Sequence, residues 1–141
     1  MLFLYHIITF TITIFSPIII FYRILKNKED KKRYKEKFSI TSKKRAKGKL
    51  IWFHGASVGE LQSIIPLIEK LEKKKDIKQI LVTSNTLSSS KIMEKISSKK
   101  IVHQFFPIDT NILSRKFLNY WKPTLAFFVD SEIWPNMVNN L

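Results

Sequence analysis

The fold is decided by one stretch of the sequence, Lys49-Leu50-Ile51-Trp52-Phe53-His54-Gly55-Ala56-Ser57-Val58-Gly59-Glu60. Its first half, Leu50–His54, is an apolar run of branched and aromatic residues, which predicts a buried strand. Its second half contains two glycines and then Ser57, after which apolar residues recur on one helical face. These residues are Leu61, Ile64, Ile65, Ile68 and Leu71. The stretch therefore predicts a strand, a tight turn and a helix, and in α/β sheets such turns bind ligands.

Glu60 has two compatible interpretations. In a capping box, Ser57 accepts a hydrogen bond from the backbone N–H of residue 60, and the Glu60 side chain reaches back to the N–H of Ser57. As a general base, Glu60 lies over a ligand crevice in which Gly55 and Gly59 let a substrate approach closely. His54 is a second candidate for proton transfer, although a histidine at a strand end is more often a hydrogen-bonded structural residue.

The composition excludes several kinds of site. The chain has 141 residues, enough for one modest domain plus an appendage. It contains no cysteine, and its three histidines stand at positions 6, 54 and 103, without the spacing of metal ligands. It also has neither a glycine-rich phosphate loop nor a G-x-S-x-G nucleophile motif. We therefore expect no metal and no cofactor.

The amino-terminal residues predict a membrane anchor. Leu2–Tyr22 is a run of 21 residues without a formal charge, about the length of a helix that crosses ~30 Å of hydrocarbon. A cleaved signal peptide fits less well, because the run lacks a preceding basic region and a small-x-small cleavage site. Residues 1–22 are therefore predicted to be an anchor helix, which either spans the membrane or lies in its interface.

The net charge of +14 is concentrated in the segment that follows the anchor. Residues 23–49 carry thirteen Lys or Arg against three acids, a net charge of +10, whereas residues 50–141 carry only +4. By the positive-inside rule, this cluster keeps the rest of the chain in the cytoplasm. We interpret residues 23–49 as a basic juxtamembrane segment, by default a solvated helix or linker, that attracts anionic lipid headgroups.

From residue 50 onward, strand patterns alternate with helical patterns. The predicted strands are Leu50–His54, Gln79–Thr83, Ile101–Phe106 and Thr124–Val129. The predicted helices are Ser57–Lys74, Ser88–Ser97 and Thr110–Tyr120, with Pro66 kinking the first of them. This alternation, with strands that are almost wholly apolar, predicts an α/β domain with a parallel, Rossmann-like sheet over residues 50–141.

Polar residues collect where the predicted strands end. The carboxyl ends of parallel strands share one edge, and the loops that reach it are residues 54–60, 83–86, 107–109 and 130–136. These loops contain four of the eight acidic residues after Leu50, although Asp109 also suits a structural role as the cap of the helix at Thr110. The chemistry that this edge supplies best is a carboxylate general base, which glycosyl transfer to a sugar hydroxyl requires.

Three motifs carry a family resemblance. They are RYKEKF at residues 33–38, HGASVGE at residues 54–60 and DSEIWPN at residues 130–136. Together they resemble the motifs of the Kdo (3-deoxy-D-manno-octulosonic acid) transferases, which act on the lipid A precursor. The sequence departs from the family pattern at Lys37, where an arginine is expected, and at Ser84–Ser88, a turn that normally includes a glycine.

The resemblance implies the N-terminal half of a GT-B glycosyltransferase, in which two Rossmann-like halves enclose the active site. It implies that Glu60 is the proton acceptor and that Glu132 stabilises the transition state. The resemblance also implies a set of candidate residues for binding the acceptor, namely His54, Ser57, Gly59, Thr83, Thr86, Asp130 and Asn136.

The resemblance also implies substrates and a location. The N-terminal half binds the lipid A precursor, lipid IVA, and a C-terminal half binds the donor, CMP-Kdo. We expect the donor domain to be absent from these 141 residues, so that the chain alone binds the acceptor weakly and transfers nothing. The expected location is the inner membrane of a Gram-negative bacterium, with the catalytic domain on the cytoplasmic side.

A non-enzymatic function is the main alternative. A membrane-tethered basic module would bind anionic lipid or nucleic acid without catalysis. Nucleic acid is the less favoured partner, because the basic residues neighbour an anchor and are not interleaved with stacking aromatic residues.

Overall fold

The computed structural model describes residues 2–96, 98–130 and 133–141. Within the first helix, it describes the side chain of Tyr5 and the side chains from Ile7 onward. Its helices are α1 (Leu2–Leu25), α2 (Val58–Glu72), α3 (Leu87–Glu94), α4 (Asn111–Trp121) and α5 (Pro135–Asn140), with a short 3-10 helix over Tyr34–Phe38. Its strands are β1 (Lys49–His54), β2 (Ile77–Ser84), β3 (Ile101–Phe105) and β4 (Leu125–Phe128). Every predicted strand and helix is present, with small differences at the ends, and α2 continues through Pro66 as one helix.

The four strands form one parallel sheet in the order β3-β2-β1-β4. The chain moves outward from β1 to β2 and β3, and then returns through α4 to the other side of β1. The reversal between β1 and β4 is a topological switch point, the place where open α/β sheets bind ligands. This arrangement confirms the predicted α/β fold with a Rossmann-like parallel sheet.

Two apolar layers hold the helices against the sheet, because alternate residues of a strand face opposite sides. Ile51 and Phe53 of β1 pack with α2 and α3, whereas Leu50 and Trp52 pack with α4 and α5. The helical residues of these layers are Leu61, Ile68 and Met93 on the first face and Phe117, Trp121 and Met137 on the second. The central strand β1 is therefore buried on both faces, which explains its nearly continuous apolar sequence.

Residues 23–49 are mostly exposed, as their composition predicts, but part of the segment is built into the domain. Glu29 and Glu36 are buried, and both are paired with basic residues of the same segment. The Glu36 Oε2 accepts a 2.9 Å hydrogen bond from the backbone N–H of Phe105 in β3, and Arg33 holds the same carboxylate with two 3.0 Å hydrogen bonds. The segment thereby covers the outer edge of β3, and covered edges do not pair with other chains.

A helix is present where the anchor is predicted, and it packs against the domain. Among the described residues, one helix is long and apolar enough to cross a membrane, over Ile7–Leu25. One of its faces is buried, at Thr9, Ser16 and Ile20. The helix therefore extends past the predicted end at residue 22, and part of its surface belongs to the interior of the protein.

Candidate active site

The HGASVGE and DSEIWPN motifs leave neighbouring strands at the switch point. β1 ends at His54 and β4 ends at Phe128, and these two residues are paired in the sheet. Just beyond the pair, the N–H of Val129 donates a 2.9 Å hydrogen bond to the carbonyl of His54. The loops that carry Glu60 and Asp130 therefore begin side by side at the carboxyl edge of the sheet.

Glu60 is partly exposed, and both of its carboxylate oxygens are held. Oε2 accepts a 2.8 Å hydrogen bond from the N–H of Ala56, and Oε1 accepts a 2.6 Å hydrogen bond from the hydroxyl of Ser57. In return, the N–H of Glu60 donates to the Ser57 hydroxyl at 3.2 Å, so Ser57 caps α2 as predicted. The carboxylate differs from the prediction in one detail, because it reaches the N–H of Ala56 and not that of Ser57. These hydrogen bonds therefore fix the orientation of the Glu60 carboxylate at the first turn of α2.

The two glycines of this turn have different roles. A Cβ atom at Gly55 would lie 3.0 Å from Leu61 Cδ2 and 3.3 Å from Glu60 Cβ, so the missing side chain lets the Glu60 side chain pack back over the turn. A Cβ atom at Gly59 would meet nothing within 4 Å, and Gly59 is exposed. Gly55 therefore serves the packing of the turn, whereas the space above Gly59 is open to a ligand.

His54 and Thr83 lie beneath the edge and are fully buried. The Nδ1 of His54 is 2.9 Å from the Thr83 hydroxyl, which also accepts a 2.9 Å hydrogen bond from Trp52 Nε1. The His54 ring stacks on Phe106, with 4.0 Å between the ring centroids. Burial lowers the pKa of His54 to about 4, although the Thr83 carbonyl and the charge of Glu60 oppose this shift. His54 is thus a neutral residue of the core at pH 7, and direct contact with an acceptor would require its exposure.

The buried histidines predict a specific loss of stability in mild acid. Burial also lowers the pKa of His103 to about 3, with help from the positive charges of Arg33 and Lys43. A pKa lower in the folded than in the unfolded chain means that the unfolded chain binds more protons, so stability falls as the pH drops below 6.5. Between pH 6.5 and 5 we expect His54 and His103 each to lower the free energy of unfolding by roughly 1–2 kcal/mol.

Urea unfolding of the chain in detergent at the two pH values measures this loss. The double variant His54→Gln/His103→Gln is the control, because it lacks both titrating groups. Its free energy of unfolding should change much less over the same pH interval. Equal changes in the two proteins would show that other groups cause the acid sensitivity.

Three further candidates are exposed at the edge. Ser57 and Thr86 are the N-caps of α2 and α3, and the Thr86 hydroxyl accepts a 3.2 Å hydrogen bond from the N–H of Ser89. Asp130 is exposed after β4 with a left-handed φ of 58°, a conformation that aspartate tolerates better than most residues. Because α2 and α3 begin at this edge of the sheet, the hydroxyls that cap them lie at the surface.

Asp109 has a different role from the predicted one. Thr110 caps α4, since its hydroxyl accepts a 3.3 Å hydrogen bond from the N–H of Leu113. The buried Asp109 carboxylate instead accepts hydrogen bonds from the N–H groups of Asn136 and Met137, at 3.0 and 2.8 Å, and so caps α5. The side chain of Asn136 is buried and donates a 2.7 Å hydrogen bond to the Asp109 carbonyl. Asn136 therefore joins the start of α5 to Asp109.

Glu132 lies outside the described residues, together with Ser131. Its predicted role in stabilising the transition state stays a prediction. The motif continues at Trp134, whose ring packs 5.6 Å from that of Phe106 between centroids. Within the part of the chain that the structure describes, no three His, Asp or Glu side chains are grouped to hold a metal ion.

Known proteins resemble this chain over most of its length. A family model described as 3-Deoxy-D-manno-octulosonic-acid transferase (kdotransferase) matches residues 32–141. The 3-deoxy-D-manno-octulosonic acid transferase of Rickettsia bellii is 41% identical over 136 residues, which cover 96% of this chain and 32% of that protein. A probable mitochondrial 3-deoxy-D-manno-octulosonic acid transferase of Arabidopsis thaliana is 33% identical over 135 residues, covering 96% of this chain and 30% of that protein.

A more distant relative is the 3-deoxy-D-manno-octulosonic acid transferase of Haemophilus influenzae, which is 29% identical over 91 residues, covering 64% of this chain and 21% of that protein. The chain thus spans about a third or less of the length of these three curated relatives. The region matched by the family model contains all three motifs and the whole sheet. The chain therefore belongs to the Kdo transferase family, whose members are glycosyltransferases.

Proposed function

We propose that the protein transfers Kdo from CMP-Kdo to a sugar hydroxyl of the lipid A precursor, lipid IVA. Residues 1–141 supply the acceptor-binding half, and the donor half corresponds to the length that the relatives have outside the matched region. The observation that carries the proposal is a partly exposed carboxylate, Glu60, held by two hydrogen bonds at the switch point of the sheet. The reaction needs no cofactor besides the donor.

In the proposed reaction, Glu60 accepts the proton of the acceptor hydroxyl while the hydroxyl oxygen attacks the anomeric carbon of Kdo. The new carbon–oxygen bond forms as the bond from that carbon to the CMP phosphate breaks, and CMP leaves with the electron pair. Glu132 stabilises the oxocarbenium-like transition state. The hydrogen bonds from Ala56 and Ser57 fix the Glu60 carboxylate, so the acceptor meets it in one orientation.

The candidate residues divide into two groups by their burial. The exposed group is proposed to contact the acceptor directly, and it consists of Ser57, Gly59, Thr86 and Asp130. The buried group is proposed to support the same loops, and it consists of His54, Thr83 and Asn136. We further propose that α1 and the basic segment hold the protein at the cytoplasmic face of the inner membrane, where a lipid acceptor is available.

A chimaera tests this function, because the chain covers only part of its relatives. Residues 1–141 replace the matching region of the Rickettsia bellii protein, and product lipids are analysed by mass spectrometry after incubation with CMP-Kdo and lipid IVA. We expect Kdo transfer by the chimaera and none by residues 1–141 alone. A folded chimaera that binds lipid IVA without transferring Kdo would contradict the proposal.

The non-enzymatic alternative depends on basic residues that are free to bind a polyanion, and some of these residues are paired in the folded protein. Arg23 and Lys37 are both paired with the buried Glu29, and Arg33 is paired with Glu36. These three cations are therefore paired within the segment, and Arg33 and Lys37 also donate to carbonyl groups of the domain, so all three are less available to a polyanion. Binding of the chain to vesicles with and without lipid IVA, in the presence of RNA as a competitor, separates the alternatives.

The open space at Gly59 leads to a prediction about acceptor affinity. In the chimaera, Gly59→Ala should raise the KM for lipid IVA by roughly tenfold or more, since a methyl group would occupy the path of the acceptor. The free energy of unfolding should stay unchanged or rise by up to about 1 kcal/mol, because alanine favours a helix over glycine and the new Cβ meets no neighbour.

Gln62→Ala is the matched control, because Gln62 is exposed on the same helix and lies one turn further from the edge. It should leave the KM for lipid IVA unchanged. A Gly59→Ala variant with the wild-type KM would remove Gly59 from the acceptor site.

A further inference from the structure

Helix α1 presents one continuous stripe of residues to the domain. The stripe recurs every three or four positions, as one face of a helix does, and consists of Tyr5, Thr9, Thr13, Ser16, Ile20 and Ile24. Thr9, Ser16 and Ile20 are buried, and the other three are partly buried. Four of the six carry a hydroxyl, so much of the polarity of α1 faces the protein, although Thr11 is exposed.

Contacts tie both ends of this stripe to the domain. Near the start of α1, the Tyr5 hydroxyl donates a 2.6 Å hydrogen bond to Asp109 Oδ2, beside α4 and α5. Near its end, Ile20 and Ile24 line one groove with Tyr34 and Phe38 of the 3-10 helix. At a rise of 1.5 Å per residue, the stripe from Tyr5 to Ile24 is about 28 Å long.

The remaining circumference of α1 is an uncovered apolar surface. Eleven large apolar residues of α1 are about half exposed or more, and they are Ile7, Ile8, Phe10, Ile12, Ile14, Phe15, Ile18, Ile19, Phe21, Tyr22 and Leu25. A surface of this size and continuity marks an interaction site on a protein. It carries no charge between Ile7 and Tyr22.

These contacts are incompatible with a helix that crosses the bilayer. The length tied to the domain is about the thickness of the hydrocarbon core, ~30 Å. If α1 crossed that core, the domain beside it would enter the hydrocarbon too, including the exposed Asn111 at the start of α4, which lines a groove with Thr9 and Thr13. Charged groups and loops exposed to lipid are strongly disfavoured there. An α1 that lies flat leaves the domain in water.

We propose that α1 lies in the plane of the membrane, with its apolar surface in one leaflet and both of its ends on the cytoplasmic side. The occupant of this surface is a leaflet that contains anionic lipid, because exposed lysines follow α1 directly. These are Lys26, Lys28, Lys31, Lys32 and Lys35. In-plane helices of this kind combine a buried apolar face with basic residues at the headgroup level.

This orientation adds detail to the proposed membrane attachment. It rests on that proposal for one point only, the side of the membrane on which the domain lies. It does not depend on Kdo transfer, and the experiments below do not measure transfer. A failure of one proposal is therefore distinguishable from a failure of the other.

The depth of four exposed positions on α1 tests the orientation. The chain has no cysteine, so Ile7→Cys, Ile14→Cys, Ile18→Cys and Leu25→Cys each provide one site for a nitroxide label. The labelled full chains are bound to vesicles of phosphatidylethanolamine and phosphatidylglycerol, and their depth is read from oxygen and nickel accessibility. We expect four similar depths in one leaflet. Depths that are greatest at residues 14 and 18 and shallow at both ends would overturn the proposal.

Sidedness provides a second measurement that does not depend on the label depth. Leu2→Cys and the control Lys31→Cys are expressed in a Gram-negative host and treated with a membrane-impermeant maleimide. Both should react in inverted inner-membrane vesicles and neither in right-side-out vesicles. Reaction of Leu2→Cys from the periplasmic side, or from neither side while Lys31→Cys reacts, would overturn the in-plane orientation.

Discussion

Replacing Glu60 with glutamine is expected to slow Kdo transfer by the chimaera roughly 100-fold or more. The amide keeps the shape of the side chain, and its oxygen can still accept the hydrogen bond from the N–H of Ala56. It cannot accept a proton from the acceptor hydroxyl. The free energy of unfolding should fall by no more than about 1 kcal/mol, the value of a helix cap. Single-turnover transfer and urea unfolding measure the two effects separately.

Ser57→Ala isolates the loss of the helix cap, and because Ser57 is also a proposed acceptor contact, the rates are compared at saturating lipid IVA. It removes the capping hydroxyl, which both accepts from the N–H of Glu60 and donates to its carboxylate, but it leaves the carboxylate itself. We expect a loss of about 1 kcal/mol of stability with a much smaller loss of rate than in Glu60→Gln. If Glu60→Gln transfers Kdo at nearly the wild-type rate, Glu60 is only a helix cap.

Replacing Glu36 with alanine is expected to destabilise the chain by about 3–5 kcal/mol, as removal of one partner of a buried ion pair does. Glu36 is 1% exposed and accepts hydrogen bonds from Arg33, Ser42 and the N–H of Phe105. Its loss leaves the Phe105 N–H at a buried sheet edge and deprives the Arg33 guanidinium of its principal counter-ion. Urea unfolding followed by tryptophan fluorescence measures the change.

Glu94→Ala provides the control, because Glu94 pairs with the same arginine at 3.5 Å but its side chain is 58% exposed. An exposed ion pair contributes little, so this variant should lose less than about 1 kcal/mol. Similar small losses in the Glu36 and Glu94 variants would show that the basic segment is attached to the sheet by other contacts.

The sheet could be predicted because its signal is local. Each strand is a short apolar run, each helix has apolar residues at helical spacing, and their alternation leaves few possible topologies. The capping of α2 by Ser57 could be predicted for the same reason, since Ser57 and Glu60 stand three residues apart. The side of β1 on which β4 pairs was not specified by any local pattern.

The role of the basic segment could not be predicted from local patterns. Charged residues are mostly exposed, so a lysine-rich segment is predicted to be solvated. Glu36 acquires its role from the N–H of Phe105, which is 69 residues away in the sequence, and no local pattern reports such a contact. The role of Asp109 could not be predicted for a similar reason, because its partners in α5 are 27 and 28 residues away whereas Thr110 is its neighbour.

The burial of three candidate site residues also depends on tertiary structure. His54 and Thr83 end their strands close to the edge, as predicted, but aromatic rings from β4 and from Phe106 cover His54. Asn136 is buried because Asp109 draws the start of α5 against the domain. The sequence placed these residues at the edge, and only the packing decides which of them reach its surface.

The most direct test of the central claim is the location of the bound acceptor. A lipid IVA analogue with a photoreactive diazirine on its glucosamine headgroup is bound to the chain in vesicles, irradiated, and mapped by peptide mass spectrometry. We predict labelling in residues 54–60 and 83–89, at the carboxyl edge of the sheet, with competition by unmodified lipid IVA. Labelling confined to residues 23–49, or labelling that lipid IVA does not displace, would contradict an acceptor site at the switch point.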